Sequence, residues 1–302
     1  MTQLINNMET LQNCPVCGNE SFHPCISLSD YFLTREDFKI VECDKCSFRF
    51  TNPRPFSSEL GKYYESKEYI SHSNTRKGLF SILYQNVRKY TIRSKFRIIS
   101  GLTNGNSLLD IGCATGELLH YFQKKGWDVT GIEPNDNARK FAHEEYDLRV
   151  EDEDYLKKIN TASIDVITMW HVLEHVSDLN GRLGEINRIL NEDGILIIAV
   201  PNSGSPDAEY YGKFWAGYDV PRHLYHFTKP TMHDLLRKHG FSCIKEFPMK
   251  FDAFYVSLLS EKYFCGKTRW IAAFFSGLRS NLKARRENNY SSMIFVAKKS
   301  KI

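Results

Sequence analysis

The sequence lacks long apolar runs, a strong charge imbalance and internal repeats. Its longest apolar runs, residues 194–200 and 270–275, are far shorter than the roughly 18 residues that a membrane span requires. The first residues, MTQLINNMETLQ, contain no basic segment followed by an apolar stretch, so we expect no secretory signal. The sequence therefore predicts a cytoplasmic protein without a transmembrane segment.

The charge balance argues against a nucleic-acid partner. The 302 residues include 40 Lys and Arg against 36 Asp and Glu, which leaves a formal net charge of +4. Proteins that bind nucleic acid usually concentrate basic residues on one face. Hydrophobic residues make up 42% of the chain and charged residues 25%, which are ordinary globular values and exclude wholesale disorder.

Four of the eight cysteines form two Cys-x-x-Cys pairs, Cys14/Cys17 and Cys43/Cys46. In a reducing compartment such pairs indicate a metal site rather than disulfides. Each pair places two thiolates on a tight turn, and two pairs complete a tetrahedral site for a structural Zn²⁺ ion. Gly18 suits the left-handed conformation that such a turn needs. The alternative is four unrelated buried thiols.

From residue 107 onward, short apolar runs alternate with amphipathic stretches, a pattern typical of an α/β protein with a parallel sheet. Strands are predicted at residues 107–111, 128–133, 148–150, 164–170, 194–200, 241–247 and 293–298. Helices are predicted at residues 79–99, 116–125, 135–145, 179–190 and 230–239. We expect three segments: a zinc-ribbon-like module at 1–60, a helical linker at 61–104, and a main domain at 105–302. Insertions at about 201–228 and 248–292 interrupt the main domain, and we expect lids or helices there.

A glycine-rich turn follows the predicted strand at 107–111. Asp110, Gly112 and Gly116 occupy the turn, and the two glycines let the backbone approach a ligand at the carboxyl end of the strand. The next predicted strand ends at Glu133, where an acidic side chain can accept hydrogen bonds from both hydroxyls of a ribose. No Lys-Ser/Thr pair follows the turn, so a phosphate-binding loop is not expected.

Three motifs resemble those of class I S-adenosylmethionine-dependent methyltransferases, in the branch of the quinone-biosynthesis O-methyltransferases and the methyltransferases of polysaccharide clusters. They are Asp110-Ile-Gly-Cys-Ala-Thr-Gly116, Gly131-Ile-Glu133-Pro and Asp165-Val-Ile-Thr-Met-Trp-His171-Val-Leu-Glu174-His175-Val. The resemblance covers about residues 104–247. It implies a Rossmann-like seven-stranded sheet whose last strand, at 293–298, is antiparallel.

The resemblance also implies positions for the cofactor, S-adenosylmethionine. Asp110, Gly112 and Gly116 would flank its methionine portion, and Glu133 would hold its ribose. The adenine contact would come from Asp154 and Tyr155. Trp170, at the end of the fourth predicted strand, is a further candidate for packing against the cofactor, although such an aromatic residue is more often part of the core.

His171, Glu174 and His175 share one helical turn, and three interpretations compete. A zinc-peptidase motif would need a long helix, yet His171 closes an apolar strand-like run. A divalent cation near Glu174 and His175 is the second, suggested by some quinone O-methyltransferases that carry an acidic residue at the first position, where this chain has His171. We favour the third, in which Glu174 and His175 are structural and His171 lines the pocket and is a candidate catalytic residue.

The insertion at 201–228 is dense in aromatic residues and histidines, as expected of a substrate lid. Trp215 offers a stacking surface, and Arg222 offers a two-pronged grip on a phosphate or carboxylate. His223 and His226 are candidates for accepting a proton near neutral pH. The alternative is a loop packed on its own aromatic residues.

The insertion at 248–292 combines an apolar stretch, residues 270–275, with the basic residues Arg279, Lys283, Arg285 and Arg286. Peripheral contact with an anionic membrane, a cap over the pocket and a dimer interface are all consistent with this pattern. The oligomeric state stays open.

The sequence thus predicts an enzyme that transfers a methyl group from S-adenosylmethionine to a small-molecule or carrier-linked acceptor such as a sugar, a lipid or a quinone-like compound. Two alternatives are an RNA methyltransferase that contacts RNA through the zinc module, and a zinc-ribbon interaction protein without enzymatic activity. The near-neutral charge and the absence of a base-methylating Asn/Asp-Pro-Pro-Tyr/Phe motif after the fourth strand argue against the first alternative. The intact glycine turn and Glu133 argue against the second.

Overall fold

The computed structural model describes residues 7–64 and 79–300. In chain order the strands are β1 (Met8–Glu9), β2 (Phe22–Ser29), β3 (Asp37–Cys43), β4 (Arg49–Thr51), β5 (Arg54–Pro55), β6 (Ser107–Ile111), β7 (Asp128–Ile132), β8 (Val150–Glu151), β9 (Ile164–Trp170), β10 (Leu190–Pro201), β11 (Tyr225–His226), β12 (Phe241–Pro248) and β13 (Ser292–Lys299). The α-helices are α1 (Leu79–Ser100), α2 (Glu117–Gln123), α3 (Asp136–Tyr146), α4 (Leu179–Ile189), α5 (Pro206–Tyr211), α6 (Lys229–Lys238), α7 (Asp252–Cys265) and α8 (Trp270–Glu287). Residues 65–78 of the expected helical linker lie outside the described residues.

The largest sheet has seven strands in the order β12-β13-β10-β9-β6-β7-β8. Strand β6 lies in parallel register with β7 on one side and β9 on the other, so that Asp110 is opposite both Gly131 and Thr168. The last strand, β13, is antiparallel. This mixed sheet confirms the predicted fold class.

The chain divides into two compact units that are interleaved along the sequence. One comprises Met1–Glu65, His171–Arg182 and Ile198–Phe295; we call it the module unit. The other comprises Ser66–Trp170, Leu183–Ile197 and Val296–Ile302; we call it the sheet unit. In the sheet unit the interiors of β6 and β9 are buried, and Phe96 of α1 packs edge-on against Phe122 of α2 at a centroid distance of 5.0 Å.

In the module unit the N-terminal segment and the insertion at 201–228 form one structure. A four-stranded sheet has the order β11-β4-β3-β2, and Tyr225 of the insertion pairs with Phe50 of β4. The buried core beside this sheet draws on both segments: Leu28, Phe38, Ile40, Tyr63, Ala208, Tyr211, Trp215, Tyr218 and Val220. The aromatic residues of the insertion therefore pack mainly against the N-terminal segment.

Arg222 is the buried charge at the centre of this shared structure. Its guanidinium donates to Asp219 and Asp30 and to the carbonyl oxygen of Tyr63, at distances of 2.6–3.4 Å. These contacts engage all five of its N–H donors. Asp30 in turn accepts backbone hydrogen bonds from residues 32–34. Arg222 is therefore fully committed inside the protein, and the substrate grip expected of it does not fit the structure.

Replacing Arg222 with Met is expected to lower the free energy of unfolding by about 3–5 kcal/mol, because the carboxylate of Asp30 would stay buried without its cation. Chemical denaturation at neutral pH would measure the loss. The matched control is Arg237→Gln, which removes an exposed ion pair to Asp234 and should change stability by less than about 1 kcal/mol. Equal effects of the two substitutions would show that the buried cluster does not hold the module unit together.

Candidate functional site

The glycine-rich turn after β6 has the backbone geometry that its sequence requires. Gly112 and Gly116 have φ values of +75° and +81°, in the left-handed region. A Cβ atom at Gly116 would lie 2.6 Å from a methyl carbon of Leu148, so a side chain there would displace Leu148 in addition to straining the backbone. Ala114, between the glycines, is also left-handed, with a φ of +49°, a strained conformation that tends to occur at functional sites.

Glu133 is held beside this turn by two backbone groups. The N–H of Ala114 donates to one carboxylate oxygen at 2.9 Å, and the N–H of Asn135 donates to the other at 3.0 Å. Burial raises the pKa of Glu133, while these two donors lower it. Each carboxylate oxygen keeps a free lone pair, so the side chain can still accept hydrogen bonds from a ligand.

Asp110 is buried at the end of β6 and accepts a hydrogen bond from the hydroxyl of Thr168 at 2.5 Å. Burial raises the pKa of this carboxyl to about 6, against the opposing effects of Thr168 and Lys95. Lys95, on α1, also lies over the ring of Trp170, 3.8 Å from its centroid. Sequence reasoning missed Lys95, because nothing in the helical pattern of α1 marks which of its basic residues turns inward.

Trp170 closes β9, and its indole Nε1 atom is buried without a hydrogen-bond partner among the described residues. A buried N–H donor without an acceptor is costly, which makes this atom a natural contact for a bound ligand. The residues of the sheet unit thus fit the S-adenosylmethionine cofactor in three respects: a turn with two left-handed glycines, a carboxylate fixed by backbone donors, and a buried indole N–H without an acceptor.

Asp154 and Tyr155 lie on the 3₁₀ helix Glu153–Lys158 after β8. Asp154 is exposed and pairs with Lys157 at 3.4 Å. The ring of Tyr155 lies under the guanidinium of Arg149, 4.7 Å away, and its hydroxyl accepts a hydrogen bond from the same side chain. Their expected contact with adenine stays a prediction.

In the module unit, His171 lies between two carboxylates. Its Nε2 atom is 3.0 Å from Asp252 and its Nδ1 atom is 3.4 Å from Glu174. Burial would lower the pKa of His171, but the two carboxylates raise it to about 10. His171 is therefore protonated at neutral pH, and a protonated imidazole cannot serve as a general base. Asp252, the first residue of α7, was not predicted, because it lies far along the chain from His171.

Glu174 is fully buried, and neither carboxylate oxygen accepts a hydrogen bond from a described residue. Burial alone would raise its pKa, but the charge on His171 lowers it. One ligand atom each from Glu174, His175 and His223 lies within 4.8 Å of the other two. Such an arrangement of a carboxylate and two imidazoles can hold either a shared proton or a cation.

His175 and His223 are anchored through their Nδ1 atoms. The Nδ1 atom of His175 lies 2.9 Å from both the hydroxyl of Tyr64 and the carbonyl oxygen of Arg222. That of His223 lies 2.8 Å from the carbonyl oxygen of Gly217. Burial lowers the pKa of His175 to about 4, so this imidazole is neutral at pH 7. The structural role expected for His175 agrees with its backbone contact, whereas Glu174 makes no such contact through its side chain.

Two further residues of the insertion lie in the core. Trp215 is 2% exposed and its indole donates to Asp207 at 2.8 Å. His226 is buried, with its Nε2 atom 3.1 Å from the hydroxyl of Thr51, and burial lowers its pKa well below the usual range. A stacking surface at Trp215 and a proton-accepting role for His226 do not fit these positions. The alternative interpretation, a loop packed on its own aromatic residues, describes them in part, since Tyr218 packs edge-on against both side chains. Trp215 also lies in the core shared with the N-terminal segment, and His226 contacts Thr51 of that segment.

The four predicted zinc ligands come together at two matching turns. The sulfur atoms of Cys14 and Cys46 are 3.5 Å apart, as are those of Cys17 and Cys43. Ligands around a tetrahedral zinc ion are about 3.8 Å apart, so the group fits that ion. Gly18 has a φ of +73°, as predicted, and Ser47 occupies the same place in the second turn with a φ of +57°.

The sheet order, the glycine turn and the acidic residue after the second parallel strand together define a class I methyltransferase fold built to bind S-adenosylmethionine. Comparison with known families agrees: residues 84–246 match the family described as a methyltransferase domain. Because this match covers more than half of the chain, the protein belongs to that family. The chain thus carries a methyltransferase domain of the S-adenosylmethionine-dependent class.

Curated relatives match only part of their own length. A ubiquinone biosynthesis O-methyltransferase of Actinobacillus pleuropneumoniae is 36% identical over 109 residues, which cover 32% of this chain and 47% of the relative. A thiol S-methyltransferase of Rattus norvegicus is 29% identical over 118 residues, covering 36% and 48%. The chain thus spans about half the length of the curated relatives it matches.

Among solved structures, the magnesium protoporphyrin IX methyltransferase of Synechocystis, with bound S-adenosylhomocysteine, aligns with a TM-score of 0.55. The alignment covers 81% of this chain and 100% of the other, at 14% identity. It supports the fold alone.

The protonation of His171 predicts a specific pH dependence of stability. Because its pKa in the folded state is raised to about 10, the stabilisation from its charge is complete below the ordinary pKa of about 6.5 and is lost as pH rises through 10. The difference in unfolding free energy between the wild type and His171→Gln should therefore be largest near pH 6 and shrink towards zero near pH 10. Urea denaturation across this range would measure it.

The matched control is His143→Gln on α3, since His143 is exposed and has no carboxylate partner among the described residues. Its stability difference from the wild type should not change over the same range. A constant difference for His171→Gln would mean that His171 is neutral in the folded protein.

Proposed function

We propose that the enzyme methylates a hydroxyl oxygen on a small-molecule or carrier-linked acceptor, with a quinone-type phenol as the first candidate. The observation that carries this proposal is the recurrence of ubiquinone biosynthesis O-methyltransferases among the curated relatives, at up to 36% identity. The thiol S-methyltransferase relative makes a sulfur acceptor the alternative. Sugar- and lipid-linked hydroxyls belong to the same chemical class as the phenol.

The cofactor is proposed to bind at the turn after β6. Asp110, Gly112 and Gly116 would face its methionine portion and Glu133 its ribose, while Asp154 and Tyr155 would face the adenine. When bound, S-adenosylmethionine would supply a sulfonium methyl group, which the acceptor attacks in line while S-adenosylhomocysteine leaves as the neutral thioether. The protein then contributes mainly alignment and exclusion of water. The unused donor of Trp170 supports a ligand at the end of β9.

A hydroxyl acceptor must lose its proton during transfer, and we propose that His223 receives it. Its Nδ1 atom lies against the carbonyl oxygen of Gly217, which favours a proton on Nδ1 and a lone pair on Nε2. His171, being protonated, would instead hold Glu174 and Asp252 in place. The same atoms support a second proposal, in which a divalent cation binds Glu174, His175 and His223 and lowers the pKa of the acceptor hydroxyl.

The N-terminal module is proposed to bind one structural zinc ion through Cys14, Cys17, Cys43 and Cys46. With four protein ligands the ion would have no open position for catalysis. Its role would be to hold the two cysteine turns to each other beside β2 and β3.

The acceptor proposal is tested by transfer of tritiated methyl from S-adenosylmethionine to three acceptors: a short-chain polyprenyl catechol, a nucleotide sugar and a simple thiol. A methyl ether is the expected product. The variant Glu133→Gln should weaken cofactor binding by about 2 kcal/mol, roughly thirtyfold in Kd, because a charged acceptor of the ribose hydroxyls is lost. Glu144→Gln, an exposed substitution on α3, is the matched control.

The general-base proposal for His223 and the divalent-cation proposal predict different results in this assay. If His223 is the base, His223→Gln lowers kcat without making transfer depend on added Mg²⁺. If a cation is bound, transfer requires Mg²⁺, and Glu174→Gln lowers kcat and raises the Mg²⁺ concentration needed for half-maximal transfer, because it removes a carboxylate ligand. Methylation of the thiol alone would replace the oxygen proposal with a sulfur one, and cofactor binding without transfer to any of the three would reject all of these acceptor classes.

The zinc proposal predicts one equivalent of zinc per chain in the purified protein, measured by elemental analysis. Cys17→Ser should lose most of the metal and lower the unfolding temperature, because binding to the four sulfurs stabilises the folded module. The control is Cys25→Ser, since Cys25 is an exposed thiol on the neighbouring strand outside the group of four. Retention of zinc by Cys17→Ser would contradict the assignment of ligands.

A further inference from the structure

Helix α8 places its large apolar side chains in solvent and its small ones inside. Ala273, Gly277, Ser280 and Ala284 are buried. On the opposite side the large residues are exposed: Ile271 at 76%, Phe274 at 55%, Phe275 at 62%, Leu278 at 37% and Leu282 at 62%. This arrangement is the reverse of an ordinary surface helix, in which the large apolar side chains face the core.

The packing of α8 against α7 prevents the helix from rotating to hide this face. A Cβ atom at Gly277 would lie 2.9 Å from the ring of Phe254 and 3.0 Å from the carbonyl oxygen of Ala253. The two helices are therefore in close backbone contact along the small residues. A larger side chain turned into that contact would clash, so the apolar face needs a cover from outside the hairpin.

Basic residues border the exposed face. At 100° per residue, Arg279, Lys283 and Arg286 lie along one edge of the apolar stripe and Arg285 lies within it. None of the four forms a hydrogen bond or an ion pair with another residue in the described part of the chain. The only acidic residue of α8 is Glu287, at its end. The face thus combines unpaired positive charge with aromatic and aliphatic side chains.

We propose that this face of α8 docks on the surface of a bilayer rich in acidic phospholipids, with the helix axis in the plane of the interface. A helix with Phe, Ile and Leu on one side and Lys and Arg on the border has the features of interfacial membrane helices. The positive charge of this border comes from Arg279, Lys283 and Arg286, whose side chains are exposed beside the apolar stripe.

Charge and hydropathy favour a bilayer surface over a second copy of the chain and over a membrane span. In an antiparallel twofold contact between two copies of α8, the same basic edges would lie on the same side of the interface, and like charges brought together in an interface are unfavourable. Spanning the bilayer is also excluded for the described helices, since none is both long and apolar enough. A bilayer with acidic headgroups accommodates both features, because its acyl chains cover the apolar stripe and its headgroups attract the four cations.

Flotation of the full-length, zinc-loaded protein with vesicles tests the proposal. Vesicles of phosphatidylcholine alone are compared with an equimolar mixture of phosphatidylcholine and phosphatidylglycerol, at low and high salt. We expect binding to the mixed vesicles, weakened by salt because part of the attraction is electrostatic. The double variant Ile271→Ser/Phe275→Ser should lower the partition coefficient at least about tenfold, since it removes two inserted apolar side chains.

A charge variant, Arg279→Gln/Lys283→Gln, should lower binding to the mixed vesicles by about fivefold for each cation removed. The controls are Ile244→Ser, an exposed apolar residue on β12, and Lys124→Gln/Lys158→Gln, two exposed lysines elsewhere. The controls should bind like the wild type, and all variants should keep wild-type affinity for S-adenosylmethionine. Cofactor affinity thereby separates a failure of folding from a failure of docking.

Three outcomes would overturn the proposal. The first is the absence of binding to the mixed vesicles, and the second is an equal loss of binding in the control variants. The third is a dimer in light scattering that Ile271→Ser/Phe275→Ser dissociates, which would show that a second copy covers the face. All three are independent of which acceptor the enzyme methylates.

Discussion

The module unit depends on the ion cluster of Arg222, Asp30 and Asp219. A buried guanidinium is tolerated only when every donor has an acceptor, and here the acceptors come from three separate parts of the chain. Any movement of the insertion at 201–228 away from the N-terminal segment would strand a charge in the core. This constraint explains why the cysteine-rich segment, the turn before β11 and the residues around His175 belong to one compact unit.

The electrostatics of His171 and Glu174 follow from that packing. Burial favours neutral forms of both groups, yet two carboxylates on opposite sides of one imidazole reverse its preference and keep it protonated. The histidines then differ in charge: His171 is charged, whereas burial leaves His175 and His226 neutral. His171 and His226, which the sequence offers as equivalent catalytic candidates, therefore differ in charge at neutral pH. Only their surroundings separate them.

Helix α8 shows a second consequence of close packing. Its small residues allow α7 and α8 to approach, and the cost is an apolar face that the hairpin cannot cover itself. Large exposed apolar patches on soluble proteins usually mark interaction surfaces. An enzyme that meets a lipid-anchored acceptor would gain from such a surface, because docking would confine it to the plane in which the acceptor moves.

The sequence by itself determined the seven-stranded fold, most of its strands and the pairing of the four cysteines, because hydrophobic periodicity, glycine turns and Cys-x-x-Cys spacing are local signals. It placed the start of β10 four residues late, since the polar residues of 190–193 hide that part of the strand. Only the tertiary structure decided whether the residues of the insertion at 201–228 lie in the core or are free to bind a ligand. Trp215, Arg222 and His226 carry the side chains of a binding loop, but in the structure they are held by the N-terminal segment. Trp215 shares a core with Phe38, Arg222 pairs with Asp30, and His226 contacts Thr51. Those partners lie more than a hundred residues away, and no local pattern records such contacts.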